Sequence, residues 1–266
     1  MKLTLLGCGT SAGVPRIGND WGDCDPKEPR NRRSRVSLHI EIPSEAGDSA
    51  SIIIDTSPDL RNQCLDNDIH DLTHVLWTHD HADHCHGIDD LRPFVFRRKS
   101  QPLQGYARPY TADALNRRFG YVFAGDGGYV SIADMTVMEN TGRDRAVTVA
   151  ANVEIAAVDQ PHGPVQSTGF RISHHGKSVC YATDFSEITD DMVSLYKGCD
   201  YLISDCLRRE PHPTHAHLAL ALELAERSEV AHVVLTHLDK SMDYRTLCAE
   251  VGNRAIVGYD GWQVDL

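Results

Sequence analysis

The sequence predicts an α/β protein built on paired sheets, and three observations point there. Strand-like apolar runs alternate with helix-like segments along all 266 residues. Several of those runs close on an Asp or a His, as in "IIID", "VLWTH", "DQPH", "YATD", "LISD" and "VVLTH". Side chains at such ends could converge on one rim of two sheets. The composition is that of an ordinary globular chain, with 41% apolar and 24% charged residues.

Taken in order, "KLTLLGCG" reads as a strand ending on glycines, and "TSAGVPRIGNDWGDCDPKEPRNRRS" as a long loop. "RVSLHIEI" alternates as a strand does, "PSEAGDS" is a turn or short linker, and "ASIIIDTS" is a strand stopping at Asp55. "PDLRNQCLDNDI" fits a helix whose first turn holds Pro58 and Asp59. "THVLWTH" is the next strand, and "DHADHCHG" leaves its end. "IDDLRPFVFRRK" begins helical and is interrupted at Pro93.

Between Pro102 and about Gly128 the chain mixes aromatics, glycine and arginine. Its "TADALNRRFGYVF" is helix-like and could cap or line a cleft. "VTVAANVEIAAVDQPHG" gives strands ending in a His-Gly loop, and "GFRISHHGKSVCYATD" a hairpin whose second strand ends in an acid. "DYLISDCL" ends near Asp205. "THAHLALALELAERS" is a helix with Thr214 at its N-cap, "VAHVVLTHLD" a strand ending in a histidine, and "AIVGYDGWQVDL" a closing strand pair. The linker-like stretch Ser44–Ser49 comes too early to separate an independent unit, so residues 1–266 read as a single domain.

A net charge of -12 argues against tight binding to a large nucleic acid, although a bound cation can reverse the local field. Eight scattered cysteines without a CxxC pair predict reduced thiols. The opening "MKLTLLGCGTSAG" has no signal-peptide pattern, and no apolar window approaches a membrane span. Together these features predict a cytoplasmic protein with no membrane partner.

The densest chemistry lies in "LWTHDHADHCHG". His79 and His81 lie two apart, so in an extended segment they share a face and could grip one cation. Asp83 and His84 follow where the chain turns and could reach a second. Imidazole with carboxylate suits Zn, Mn or Fe without deciding among them. His39, His70, His74 and His232 stand alone and read as surface or locally bonded histidines.

"THDHADH" resembles the HxHxDH motif of the metallo-beta-lactamase-like hydrolases, which are alpha-beta-beta-alpha sandwiches that usually carry two metals. The resemblance extends along nearly the whole chain, through "LLGCGTSAGVPR", "IIIDTSPDLR", "HADHCHGIDDLR" and "EPHPTHAHL". It is to the subgroup of the phosphoribosyl 1,2-cyclic phosphate phosphodiesterase of phosphonate breakdown, and more distantly to ribonuclease Z. The resemblance implies two divalent metal ions, Zn or Mn. It implies His79, His81 and His162 at one metal, Asp83, His84 and His237 at the other, and Asp184 bridging them.

It further implies hydrolysis of a small cyclic or nucleotide-like phosphodiester by a metal-held hydroxide attacking phosphorus in line, helped by Asp184. Asp83 and Asp184 join His215 as catalytic candidates. His215 matches the family's non-ligand histidine and is the candidate general acid, with His212 and His217 as rivals on composition alone. Ser11, His212 and His215 are the substrate-binding candidates. Asp55 is expected to orient a metal histidine from behind, and Asp205 to do likewise. The pair His174–His175 falls in a hairpin turn and is expected on the surface or the substrate side. "RNRRSR", Arg92, Arg97 and Arg98 could attract a phosphate or form solvated charge runs. Many relatives pair as dimers, so a homodimer is a candidate assembly.

The chain departs from the subgroup at a separate structural zinc site. Its long first loop holds only Cys24, and Lys240 stands where that site draws on a histidine, so no structural zinc is expected and other contacts must order the loop. Two alternatives stay open beside the phosphodiesterase: a metal-dependent thioester or lactone hydrolase, and a non-catalytic nucleotide-binding sensor.

Overall fold

The structure, a computed structural model, describes residues 1–43, 49–125, 127–128 and 130–266. The turn or linker expected at 44–48 lies outside the described residues. The chain runs through β1 (Lys2–Gly7), β2 (Ser37–Ile42), β3 (Ala50–Ile54), α1 (Leu60–Asp66), β4 (His74–Trp77), α2 (Ala82–Cys85), α3 (Arg92–Arg97), β5 (Leu103–Ala107), α4 (Pro109–Ala124) and β6 (Ala133–Val137). It continues through β7 (Val147–Val149), β8 (Val153–His162), β9 (Val165–His174), β10 (Lys177–Ala182), α5 (Asp190–Tyr196), β11 (Tyr201–Asp205), α6 (Leu218–Arg227), β12 (His232–Thr236), α7 (Tyr244–Val251), β13 (Ile256–Val257) and β14 (Trp262–Asp265).

Among the described residues two seven-stranded sheets result, ordered β14-β1-β2-β3-β4-β5-β6 and β13-β12-β11-β10-β9-β8-β7. Strand periodicity explains how they stack. In β3, Ile52 and Ile54 join the core between the sheets while Ile53 joins the core under the first group of helices. In β10 and β12 the same alternation sends Val179, Tyr181 and Val234 inward, and Cys180, Val233 and Leu235 towards α5, α6 and α7. Three buried clusters thus separate four layers, α/β/β/α. This is the sandwich that the motif resemblance implied.

Several expectations change in detail. Pro58 and Asp59 precede α1, with Asp59 at its N-cap. Pro93 does not break one helix: a 3-10 turn over Ile88–Leu91 hands over to α3, where Pro93 occupies a first-turn position that needs no N–H. The cap of α6 is His217, whose side chain accepts from Leu220 N, and not Thr214. The closing strands do not pair with each other. β13 adds to β12 and β14 to β1, so the last turn carries the chain from one sheet to the other. Among the described residues, no helix is long and apolar enough to cross a membrane.

Candidate metal centre

β3, β4, β8, β10, β11 and β12 all finish at one end of the sandwich. β3 runs parallel to β4; β10, β11 and β12 run parallel to one another; β8 is antiparallel to β9, which is antiparallel to β10. Asp55, His79, His162, Asp184, Asp205 and His237 sit at or just beyond those ends. Asp55, Asp184 and His237 hold left-handed φ values of 64°, 57° and 58°. Such conformations are uncommon outside glycine, and they turn each side chain sharply into the rim.

The side chains divide into two groups around Asp184. Its Oδ2 lies 3.6 Å from His79 Nε2 and 3.4 Å from His162 Nε2. His162 Nε2 is in turn 3.3 Å from His81 Nδ1. The Asp184 Oδ1 lies 3.3 Å from His84 Nε2 and 3.5 Å from His237 Nε2. Asp83 Oδ2 closes that group, 3.5 Å from His84 Nε2 and 3.6 Å from His237 Nε2. Ligands at 2.0–2.2 Å around a tetrahedral cation stand about 3.4 Å apart, so these spacings suit a cation at the centre of each group.

The unmet hydrogen bonds agree with that fit. His79 Nε2, His84 Nε2, His237 Nε2 and Asp184 Oδ1 are buried and, among the described residues, make no hydrogen bond beyond facing one another across the site. Orphaned buried polar atoms are costly, and these, divided between the two groups, have the donor chemistry of cation ligands. Asp83, Asp184 and Asp205 bring three buried carboxylates to the rim, with Asp55 behind them. Their charge must be met by cations or by protons. With protons alone, burial opposes charging His84, yet Asp184, Asp83 and Asp55 hold its pKa well above normal. Burial likewise opposes His237, but Asp184, Asp83 and Asp205 push it up to about 9. Burial also works against the Asp184 and Asp83 carboxylates, which the same imidazoles hold below the usual range. His79, buried and facing His84, falls well below its usual value and keeps a lone pair for a ligand.

Contacts from behind fix the rings. His84 Nδ1 bonds Asp55 Oδ2 at 2.7 Å, and Asp55 also accepts from the Thr78 N–H and hydroxyl. His162 Nδ1 donates to Thr214 O at 2.6 Å, leaving Nε2 for the site. Gly163 makes this approach possible, because a Cβ there would stand 2.5 Å from Thr214 Cγ2. Asp205 Oδ2 lies 3.2 Å from His215 Nδ1 and accepts from Ala216 N, while its Oδ1 faces His237 Nδ1 at 3.7 Å. Neither Thr78 nor the Thr214 carbonyl carries a local sequence signal for these contacts.

A cleft of about 340 Å³ opens over the two groups. It is lined by His81, Asp83, His162, Asp184, His215 and His237, with Ser11, Pro164, Val165 and Thr214 at its walls. Ser11 and His215 therefore face the same space. His212 is set back from that lining: its Nδ1 lies 3.2 Å from Thr214 Oγ1 and its ring 5.2 Å from His215. His174 ends β9 and His175 opens the turn into β10, at that strand's opposite end from Asp184, which places them away from the candidate site. The arginine-rich run is engaged elsewhere. Arg30 stacks on Tyr244 and Tyr259, Arg32 on Trp21, and Arg35 pairs with Asp59 at 3.0 Å. Arg92 and Arg98 pair with Asp89 and Asp71.

The long first loop is ordered by Arg33, which is buried. Its guanidinium donates to the carbonyls of Asp239 and Met242, close after His237. Lys240 pairs with Asp20, and its carbonyl accepts from Asp23 N at 2.9 Å.

Residues 50–238 match the family model described as the beta-lactamase superfamily domain. The octanoyltransferase of Porphyromonas gingivalis is 32% identical over 239 residues, which is 90% of this chain and 46% of that protein. A ribonuclease Z of Mycobacterium sp. (strain KMS) is 30% identical, over 62% of this chain and 65% of the other. The chain thus spans about half to two-thirds of these relatives' lengths. A diphosphatase of the PhnP family superposes with a TM-score of 0.85 at 31% identity, over 99% of this chain and 96% of that one. Zinc-bound PqqB from Methylobacterium extorquens, at 19% identity, a TM-score of 0.76 and full coverage of both chains, shares the fold.

Proposed function

The chain belongs to the beta-lactamase superfamily, and from that membership we propose that it is a metal-dependent phosphoric diester hydrolase acting on a small phosphodiester, cyclic or nucleotide-like. The observation that carries the proposal is Asp184, whose two carboxylate oxygens each face a separate group of imidazoles. His79, His81 and His162 would hold one divalent cation and Asp83, His84 and His237 the other, with Asp184 shared. Zn or Mn suits this donor set. When bound, such cations supply a nucleophile at neutral pH and neutralise charge on the phosphoryl group.

The chain's own groups do the rest. Asp55 and the Thr214 carbonyl hold His84 and His162 in the tautomers that keep their Nε2 lone pairs on the site. His215 Nδ1, held by Asp205, leaves Nε2 as the nitrogen that passes a proton to the leaving oxygen. The Ser11 hydroxyl and the Pro164–Val165 tip offer a polar and an apolar wall for the ester's substituents. The likeness to a diphosphatase supports phosphorus as the reacting centre, and a phosphoanhydride within the substrate is compatible with the same site. Hydrolysis of an acyl thioester is the second reading. It draws on the octanoyltransferase likeness, in which the matched stretch is less than half of the other protein.

The test is a turnover panel with protein loaded with Mn or Zn: cyclic and aryl phosphodiesters, a dinucleoside diphosphate, a tRNA precursor and an acyl thioester. The proposal expects cleavage of a small phosphodiester, abolished by Asp184→Asn. Thioester cleavage without any phosphate-ester cleavage would overturn it.

A further inference from the structure

We propose that Arg118 is a positioning residue for the metal-ligand loop, gripping Asp80 and His86 with one guanidinium so that the segment between them presents His81, Asp83 and His84 at fixed points. The inference rests on the reading of that segment as a metal centre.

Four of the seven candidate ligands fall within residues 79–84, and the segment's only regular structure is the four-residue α2. One helical turn is too short to hold itself. The second half of α2 is buried and tied to the end of β3, where Thr56 N donates to His84 O at 2.8 Å, but His81 and Ala82 are exposed and the core does not hold them. What runs alongside is α4. Near its start, Thr111 Oγ1 donates to the carbonyl of Thr78 at 3.4 Å. Seven residues on, two turns further along the same face and about 10 Å up the axis, comes Arg118.

Arg118 contacts both ends of the loop. Its NH1 donates to the Asp80 carbonyl and lies 3.1 Å from Asp80 Oδ2, while NH2 bonds His86 Nε2. Cys85 Sγ donates to the same Asp80 carbonyl at 3.3 Å, which ties the end of α2 back to its beginning. Phe119 backs the arrangement. Its backbone leaves helical geometry (φ -131°, ψ 33°), Arg118 Cζ stands 5.3 Å from its ring, and the His86 ring meets it edge-on at 5.8 Å. A planar fork can serve two partners in fixed directions, whereas a lysine ammonium is a single point. Arg118 is not among the residues lining the cleft, so it acts through the ligands and not on substrate.

A merely structural ion pair this exposed, with side chains 35% and 42% accessible, contributes little to stability. Loss of a contact that orients ligands weakens metal binding by about tenfold or more. The two roles therefore separate in experiment. The full chain is loaded with cobalt(II), and its visible ligand-field spectrum and chelator competition are recorded for wild type, Arg118→Ala and Arg118→Lys. The expected result is about tenfold weaker cobalt binding and a changed spectrum in both variants. The thermal midpoint of the metal-free protein should not move, and added ethylguanidinium should restore the Ala variant. Wild-type affinity and spectrum in Arg118→Ala, or no rescue by ethylguanidinium, would overturn the proposal. Neither readout involves a substrate. A protein that cuts no phosphate ester but shows the shift retains the positioning role and loses the phosphodiesterase reading, and the converse result does the reverse.

Discussion

The Nδ1 of His84 lies 2.7 Å from the Oδ2 of Asp55, with both side chains fully buried. The contact joins the end of β3 to the loop after β4 and decides which His84 nitrogen faces Asp184. Asparagine tolerates the left-handed φ of 64° at this position, so Asp55→Asn leaves the backbone intact, removes the charge and puts an NH2 donor where one accepting oxygen stood. Metal affinity should fall about 10–100-fold in a chelator competition. An unchanged affinity would mean that His84 is oriented by packing alone.

Asp184 is shared by both ligand groups, its Oδ2 towards His162 and its Oδ1 towards His84. Asp184→Asn keeps the shape and the left-handed backbone but offers one neutral acceptor in place of two charged ones. Metal analysis of the variant should give at most one cation per chain where the wild type takes two. Two tightly held cations in the variant would remove the bridging role.

How much of this was legible beforehand depends on whether the signal was local. His79, His81, Asp83 and His84 crowd one segment, so spacing marks them as candidate ligands; Asp184 and His237 each close an apolar run, which places them at the rim, and their ligand roles come from the motif resemblance. β5 and β6 did not stand out, since "LQGYA" and "ADMTV" carry little β-branched or alternating signal and owe their pairing to neighbours in the sheet. α5 and α7 carry weak sequence signals for a similar reason. Each is at most eight residues long and is fixed by packing and by side-chain caps from Thr189 and Asp243. The contacts made by Thr214 O, Arg33 and Arg118 join residues distant in sequence, and no local pattern encodes them.

The charge state of the rim yields a pH prediction. His237 has a folded pKa of about 9 without a cation, above the ordinary histidine value near about 6.5. A raised folded pKa contributes stability that is fully present below the unfolded value and is lost as pH rises through the folded one. His84 is shifted in the same direction. Metal-free protein should therefore melt at progressively lower temperature from about pH 6.5 to about pH 9. Bound cations take over the role of the protons, and metal affinity rises across the same window. Thermal melts of chelator-treated and Mn-loaded protein across that range check both statements. A flat or rising midpoint in the metal-free series would contradict them.

His215 stacks on His237 at 4.8 Å between ring centroids and bonds Asp205 at 3.2 Å. If it protonates the leaving oxygen, its loss should matter most where that oxygen is basic. His215→Ala is expected to lower kcat about 10²–10⁴-fold for an alkyl or ribosyl leaving group. The effect should be far smaller for p-nitrophenolate, and metal content should stay the same. An equal loss for both leaving groups would point instead to a part in binding.

Arg33 and Lys240 hold the long first loop in different ways, and the difference is measurable. Arg33 is buried, and its donors satisfy the carbonyls of Asp239 and Met242. Arg33→Met fills similar space but leaves those carbonyls unpaired, at a cost of about 3 kcal/mol in urea unfolding. The Lys240–Asp20 pair is solvent-facing, with side chains 31% and 43% accessible. Lys240→Ala should change the unfolding midpoint only slightly, and less still in high salt. Both guanidinium contacts lie within five residues of His237, so Arg33→Met should also weaken metal binding, whereas Lys240→Ala should not. Equal effects of the two substitutions would show that the exposed pair carries the loop as much as the buried guanidinium does.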